Sequence, residues 1–218
     1  MSRRPARKRL SQERDQDQSA FTEILADLVD RVPGARAAAL VDYDGETVDY
    51  YARHGDPFEV RVAAAHLRIV LHEAQAAIAG ASVFSLQGSA RSYVVRALPQ
   101  GYALVLVLAC GATTTTQGRA IPLCVQRLAS EAGWEPPPAP GWHALDVRTD
   151  ARGRPFAIGD PPDGEELEIL GTVARGLARF ERGWRVRFSS GEATLVREPT
   201  GYWYVDERLR VRSSSPPT

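Results

Sequence analysis

The sequence lacks the features that several common classes of protein require. No apolar run approaches the about 20 residues of a membrane-spanning helix. The basic start MSRRPARKRL is not followed by the apolar stretch of a secretory signal, so we expect a cytoplasmic protein. Only Cys110 and Cys124 are present, in a spacing that is typical neither of a metal site nor of a redox pair. We expect both to be ordinary buried thiols.

Lysine is almost absent, since Lys8 is the only one in the chain. Arginine therefore carries nearly all of the positive charge, and the formal net charge is zero. No predicted folded part is strongly basic, so we expect no specific nucleic-acid partner. The basic cluster at residues 3–9 could contact an acidic partner or an anionic membrane surface, although a solvated tail is the plainer interpretation.

Composition divides the chain into five segments. Residues 1–18 are charged and polar with almost nothing to bury, which predicts a disordered arm. Residues 19–134 carry enough apolar sequence for a first domain. The run EPPPAPG at 135–141 predicts a stiff linker. Residues 142–210 are then expected to form a small second domain, and residues 211–218 a loose tail.

Apolar spacing predicts three helices and five strands in the first domain. The helices are expected over residues 20–31, from about 57 to 79, and from about 120 to 132. The strands are expected over residues 36–41, 46–51, 81–86, 92–98 and 102–110. Short connections imply an antiparallel sheet, with the second helix on one face and the other two helices on the opposite face. The predicted fold class is an α+β sandwich.

The second domain is also predicted to be α+β, with no role that we can assign. A hairpin is expected from residues 142–147 and 154–158, around Asp150 and Gly153. Helical spacing then continues from Leu167 to Phe180, and the preceding acidic residues suit the positive end of a helix dipole. Three strands are expected after it, over residues 184–188, 193–198 and 202–205.

The stretch LVDYDGETVD permits a catalytic and a structural interpretation. A haloacid-dehalogenase-type phosphatase has a first motif that resembles an apolar strand followed by D-x-D-G-T, but Glu46 stands in the place of the threonine. That chemistry also needs a cation to hold the phosphoryl group, and the only lysine lies in the arm. The phosphatase is therefore a remote alternative, and Asp42 and Asp44 are predicted to be turn residues. We expect no catalytic residue, metal or cofactor.

The predicted second helix is apolar on more than one side. Its apolar residues are Phe58, Val60, Val62, Ala63, Leu67, Ile69, Val70, Leu71 and Ala74. A helix of this kind must be buried on two sides, against its own sheet and against something else. The strand that follows, at residues 82–86, is expected to be an uncovered edge of the sheet. Together they predict that another chain covers this part of the molecule.

The segment FTEILADLVDRVPGARAAALVDYDGETVDYYARHGD resembles the opening of roadblock/dynein light chain domains. In that family a helix with a V-P-G-type stop leads into an apolar strand, a D-x-D-G hairpin and a second strand. The later order of elements is also similar, with GYALVLVL in the place of the central strand. The resemblance covers about half of the chain, within residues 19–134.

The resemblance implies a non-enzymatic scaffold or regulator that dimerises through its second helix and third strand. The partners that it implies are another copy or another roadblock protein, and a Ras-like small GTPase in bacterial polarity or motility control. We place the expected dimer interface at Val60, Ala63, Leu67, Val70, Leu71, Ala74, Val83 and Phe84. A sensory domain that binds a small ligand is the alternative, although the sheet-facing residues are aliphatic and show no convergent polar group.

Overall fold

The structure is a computed structural model that describes residues 17–112, 118–135, 137, 141–159, 164–177 and 180–206. Nearly all of the predicted arm, part of the predicted linker and the whole predicted tail lie outside the described residues. Within the described part of the chain, no helix is both long and apolar enough to cross a membrane.

The first unit is a five-stranded antiparallel sheet with three helices, as expected. The helices are α1 (Ala20–Arg31), α2 (Pro57–Ala77) and α3 (Ala120–Ala132). The strands are β1 (Ala35–Val41), β2 (Thr47–Ala52), β3 (Val83–Gln87), β4 (Arg91–Ala97) and β5 (Ala103–Ala109). Their order in the sheet is β2-β1-β5-β4-β3, so β5 lies at the centre and β3 at one edge.

Helix α1 begins at a capped end that is tied to the sheet. The Ser19 hydroxyl accepts a hydrogen bond from the backbone N–H of Phe21, which satisfies one of the free donors of the first turn. The hydroxyls of Ser19 and Thr22 both donate to the buried carboxylate of Asp49 on β2, at 2.5 and 2.6 Å. These bonds fix the position of α1 against β2.

Each face of the sheet carries its own buried cluster. Leu104, Leu106 and Leu108 of β5 point to the side of α1 and α3, where they pack with Leu25 and Leu128. The intervening residues of β5 point to the opposite face and pack beneath α2. The prediction of one helix on one face and two on the other is therefore confirmed. Of the two cysteines, Cys124 on α3 is buried, but Cys110 after β5 is exposed, so the expectation for Cys110 was wrong.

The second unit is built from two antiparallel sheets. The larger has the order β10-β11-β12-β13-β6 and the smaller the order β7-β8-β9. Their bounds are β6 (Trp142–Leu145), β7 (Val147–Thr149), β8 (Pro155–Ile158), β9 (Glu165–Glu166), β10 (Glu168–Val173), β11 (Arg182–Phe188), β12 (Gly191–Arg197) and β13 (Trp203–Asp206). The predicted hairpin of residues 142–147 with 154–158 is only partly correct. Its second arm is β8, but β8 pairs with β7, whereas most of the predicted first arm is β6, which pairs with β13 in the larger sheet.

The helix predicted between Leu167 and Phe180 is wrong over β10, where the chain is a strand paired with β11. A helix here would hold Gly171 and Gly176 in its interior, and each glycine would destabilise the helix by about 1 kcal/mol relative to alanine. Gly176, three residues after the end of β10, instead adopts φ 77°, a left-handed conformation that a regular helix does not contain. The second unit is therefore all-β in its described residues, and the predicted α+β character was wrong for this part of the chain.

The two units contact each other through buried arginines of the first unit. Arg119, at the start of α3, is 2% exposed and donates to Asp206 of β13 at 2.7 Å and to Glu181 before β11. Arg31, in the last turn of α1, is also buried, and its guanidinium carbon lies 4.3 Å from the ring centroid of Tyr202. The larger sheet of the second unit therefore lies against α1 and α3.

A third acidic side chain lies near this contact. Burial raises the pKa of Glu198, at the end of β12, while the nearby guanidinium groups of Arg31 and Arg119 act in the opposite direction. The net shift is upward, so the folded protein binds the proton of this carboxyl more tightly than the unfolded chain does. Ionisation of Glu198 therefore lowers the free energy of unfolding.

We expect Arg119→Met to lower the free energy of unfolding by about 3–5 kcal/mol, because it leaves two buried carboxylates without their cation. The matched control is Arg127→Met on the same helix, where an exposed arginine pairs with Asp27 at 2.8 Å and the expected loss is below about 1 kcal/mol. Urea unfolding followed by circular dichroism measures both values. Equal losses in the two variants would show that the contact between the units adds no stability.

We expect Glu198→Gln to stabilise the protein at neutral pH. A raised carboxyl pKa contributes stability that is fully present below the ordinary glutamate pKa and is lost as the pH rises through the folded value. The glutamine removes this dependence, so the advantage of the variant should shrink below about pH 4. Urea midpoints measured across the pH range test this, and a variant that is less stable than the parent at neutral pH contradicts it.

Candidate protein-interaction site

Helix α2 presents one stripe of apolar residues to its own sheet. Val60, Ala64, Leu67 and Leu71 recur at intervals of four, three and four residues, which places them on one side of the helix. All four are buried in the cluster beneath α2. This inner stripe anchors the helix over the sheet.

Three residues of the predicted interface belong to this inner stripe. Val60, Leu67 and Leu71 fill the core of their own unit, so they are not available to another chain. The sequence shows that α2 is apolar on two sides, but it does not show which side faces the sheet. The remaining five predicted residues, Ala63, Val70, Ala74, Val83 and Phe84, are exposed or half-buried.

The side of α2 that faces away from the sheet carries large exposed apolar residues. Phe58 is 62% exposed and Ile69 is 59% exposed, and Val62 between them is also exposed. We define the outer stripe as Phe58, Val62, Ala65, Ile69, His72 and Ala76. The sequence prediction left this stripe out of the interface, although its spacing opposite Leu67 could have indicated it.

A second apolar surface lies where α2 meets the open edge of the sheet. Glu59 of α2 pairs with Arg91 of β4 at 2.5 Å, so this side of the helix looks toward β4 and β3. We define the edge surface as Ala63, Val70 and Ala74 on this side of α2 together with Val83, Phe84 and Leu86 on β3. Phe84 and Leu86 lie on the α2 face of the sheet, whereas Val83 lies on the opposite face of the same edge strand. Because β3 is the last strand of the sheet, the edge surface also offers backbone donors and acceptors that no strand among the described residues pairs.

A buried arginine that the sequence analysis missed holds α2 in place. Arg68 is buried on α2, and its Nε donates to the backbone oxygen of Gly101 at 2.9 Å. Gly101 belongs to the short turn between β4 and β5, where Gln100 adopts φ 55°, a left-handed conformation that is uncommon for a residue other than glycine. No pattern in the sequence separates this arginine from the exposed ones.

The DYDG stretch forms the tight turn between β1 and β2. One carboxylate oxygen of Asp42 accepts hydrogen bonds from the backbone N–H of Asp44 at 3.0 Å and of Glu46 at 2.9 Å. Both bonds lie within the turn, which is the behaviour expected of an aspartate that stabilises a hairpin. The interpretation of Asp42 as a turn residue is confirmed.

Comparison with solved structures finds roadblock proteins over about half of this chain. A Roadblock/LC7 domain from Streptomyces avermitilis is 18% identical, covers 51% of this chain and 97% of its own, and has a TM-score of 0.44. The gliding protein MglB from Thermus thermophilus is 20% identical, covers 53% of this chain and 93% of its own, and has a TM-score of 0.46. MglC from Myxococcus xanthus is 23% identical, covers 51% of this chain and 98% of its own, and has a TM-score of 0.41.

These similarities are of fold alone. The sheet order, with one helix on one face and two on the other, is that of the predicted α+β sandwich. No protein-family model matches the chain. No curated protein matches it either. The case for an interaction surface therefore comes from the exposed residues of this chain.

We expect Leu67→Arg and Val70→Arg, three residues apart on α2, to have different effects. Leu67→Arg places a charge in the core and should lower the free energy of unfolding by about 3 kcal/mol or more. Val70→Arg adds a charge on an exposed side and should change the free energy of unfolding of dilute protein by no more than about 0.5 kcal/mol. Urea unfolding at low concentration tests this, and similar losses in both would show that α2 is oriented differently.

Proposed function

We propose that this protein is a non-enzymatic scaffold that binds a second copy of itself through the edge surface. The observation that carries the proposal is the open strand β3, whose Val83 and Leu86 are 46% and 47% exposed. An apolar strand that is left unpaired at the edge of a sheet is a template for pairing with another chain.

The geometry of the edge surface favours continuation of the sheet. Two copies of β3 that pair antiparallel would join two five-stranded sheets into one, and the α2 side with Ala63, Val70 and Ala74 would then face the partner. The six residues of the edge surface include no charged side chain, and the charged neighbours on this side of α2, Glu59 and Arg91, are already paired with each other. Pairing would also satisfy the free backbone groups of β3.

The proposed partner beyond the second copy is a Ras-like small GTPase, and the proposed setting is bacterial polarity or motility control. Both follow from the resemblance to roadblock domains. A different roadblock protein could take the place of the second copy, because a backbone edge accepts any strand of suitable shape. The sensory alternative has less support, since buried aliphatic residues pack against both faces of the first sheet.

We expect the protein to have twice the mass of its 23.8 kDa chain at micromolar concentration. The double variant Val70→Arg with Val83→Arg should have the mass of one chain, because it places charges in the interface that have no partner. Light scattering coupled to size-exclusion chromatography measures both. The matched control is Val48→Arg, at an exposed valine of the opposite edge strand β2, which should keep the doubled mass.

The proposal is contradicted if the unaltered protein has the mass of one chain at every concentration and no other roadblock protein raises it. The GTPase partner is tested separately. A purified small GTPase of the same organism, loaded with GDP or with a GTP analogue, is titrated with the protein and followed by fluorescence anisotropy. We expect binding in at least one nucleotide state, and the absence of binding in both states removes this GTPase as the partner.

A further inference from the structure

The two sheets of the second unit share two bent strands. Asp146 alone separates β6 from β7, and Leu167 alone separates β9 from β10, so each pair is one continuous strand that leaves one sheet and enters the other. The first bent strand pairs with β13 and β8, and the second pairs with β8 and β11. The pairings therefore run in a ring through all of the described strands of the unit, as in a small closed barrel.

The buried cluster of the second unit lies inside this ring. Along β11 and β12 the inward-facing residues alternate with outward-facing ones, as the pleat of a strand requires. The inward residues Trp184 and Leu195 pack together with Trp203 of β13, and Val147 of the first bent strand packs against them. At one end of the ring the inward rows of β11 and β12 continue for one further residue each, to Arg182 and Arg197.

Arg182 and Arg197 lie directly opposite each other on their two strands. Side chains in this relation have Cβ atoms about 4.5–5.5 Å apart, and like charges placed in this way destabilise a sheet. Among the residues that the structure describes, no carboxylate pairs with either arginine. Arg182 is exposed. Arg197 is half-buried, its guanidinium carbon lies 5.7 Å from the ring centroid of Trp203, and its buried Nε has no hydrogen-bond partner.

Other charged side chains of the same strands are matched. On the outward face of β11, Arg185 pairs with Glu192 at 2.5 Å. Glu181 and Glu198 are the acidic neighbours in sequence of the two inward arginines, but they point to the other face of the sheet. There Glu181 pairs with Arg119 of the first unit, and Glu198 lies close enough to the same guanidinium for its pKa to respond to it. The positive charge of the inward pair is therefore left without a matching carboxylate from these neighbours.

The turn between β7 and β8 lies beside the arginine pair. Gly153 in this turn has φ 74°, and a Cβ atom there would lie 3.1 Å from Nη1 of Arg197, so a side chain would crowd the guanidinium. The turn also carries Arg152 and Arg154, which are both exposed. One carboxylate oxygen of Asp150 accepts the backbone N–H groups of both at 2.8 and 2.9 Å, which fixes the turn. Arginines of the turn therefore add to the positive charge at this end of the ring.

We propose that this end of the second unit binds a phosphate group with two negative charges, held between the guanidinium groups of Arg182 and Arg197. A guanidinium presents a planar fork of N–H donors that matches two phosphate oxygens. Two opposed forks suit a dianion, and the free Nε of Arg197 is a further donor. The ligand is a phosphomonoester, either soluble or the headgroup of a lipid. The site belongs to the second unit, so it does not depend on the edge surface.

Two probes test the site on the full chain. Isothermal titration calorimetry measures the binding of inorganic phosphate at an ionic strength held constant with sodium chloride. Co-sedimentation measures binding to vesicles of phosphatidylcholine with and without phosphatidic acid, whose headgroup is a phosphomonoester. We expect at least one of the two probes to bind, and Arg182→Gln to weaken that binding by about tenfold or more, because it removes one of the two forks.

The matched control is Arg185→Gln. It removes the same charge from the same strand, but from the outward face, and we expect it to change the dissociation constant by less than about twofold. Since Arg182 is exposed and bonded to no described side chain, its replacement should leave the fold intact, which circular dichroism checks. Arg197→Gln is a second variant that should weaken the binding in the same way as Arg182→Gln.

Thermal unfolding provides an independent readout. Without phosphate, we expect Arg182→Gln to raise the midpoint of unfolding, because it removes the repulsion between the two arginines. With increasing phosphate, the midpoint of the unaltered protein should rise, as it does for a ligand that binds only the folded state, and that of the variant should stay constant. An arginine that only supports the fold would give the opposite result, a lower midpoint in the variant and the same response to phosphate.

The outcomes identify the source of the phosphate or overturn the site. Binding to phosphatidic acid vesicles alone supports a lipid ligand, and binding of inorganic phosphate supports a soluble one. No binding of either probe overturns the site, and so does an equal loss in Arg182→Gln and Arg185→Gln, which indicates only a general attraction to positive charge. Binding of single-stranded RNA without either phosphomonoester also overturns it. None of these results changes the mass of the protein, so the edge surface stands or falls separately.

Discussion

One constraint shapes the first unit: a single helix cannot cover a five-stranded sheet. Strand β5 is buried on both faces, so both faces need a layer of helices. A helix with its side chains is about 10–12 Å wide, whereas five strands about 4.8 Å apart span roughly 20 Å between the outermost pair. Two helices, α1 and α3, meet this need on one face. On the other face α2 lies mainly over β1 and β2, and on β3 only Phe84 packs against the cluster beneath the helix, while the other residues of the strand are exposed.

The face of the first unit that carries α1 and α3 is in contact with the second unit of the same chain. The larger sheet of the second unit lies against α1 and α3, and Arg119 links the start of α3 to Asp206 and Glu181. Buried ion pairs of this kind add little net stability over an apolar contact, but they tolerate only one arrangement of their partners. The contact therefore specifies how the second unit is placed, and within the described residues the hydrogen bonds and ring contacts reported above join the second unit to α1 and α3, not to α2 or β3.

The sequence predicted the first unit well because its patterns were long and consistent. The three helices and five strands were found to within about two residues, and the open strand β3 was expected. The second unit was harder, because Leu167, Leu170 and Val173 have helical spacing by coincidence in a segment that forms a strand. A short apolar run fits both the helical period and the strand period, so periodicity alone does not distinguish them. Only the glycines at 171 and 176 argued against a helix.

The candidate site was only partly predictable, for a related reason. Two apolar sides on α2 could be recognised, yet Val60, Leu67 and Leu71, which were predicted to lie at an interface, are buried against their own sheet. The orientation of a helix depends on the sheet beneath it, and a helical pattern of apolar residues all around does not reveal it. The buried Arg31, Arg68 and Arg119 could not be recognised at all, since each is paired with, or stacked on, groups distant in the chain.

The position of Arg119 has a consequence for the order in which the protein forms. Its carboxylate partners lie 62 and 87 residues further along the chain, so both emerge from the ribosome long after α3. Domains generally fold as units during synthesis, the N-terminal one first. The first sheet and its helices can therefore collapse while Arg119 is still hydrated, and attachment of the second unit is the late step that removes its water.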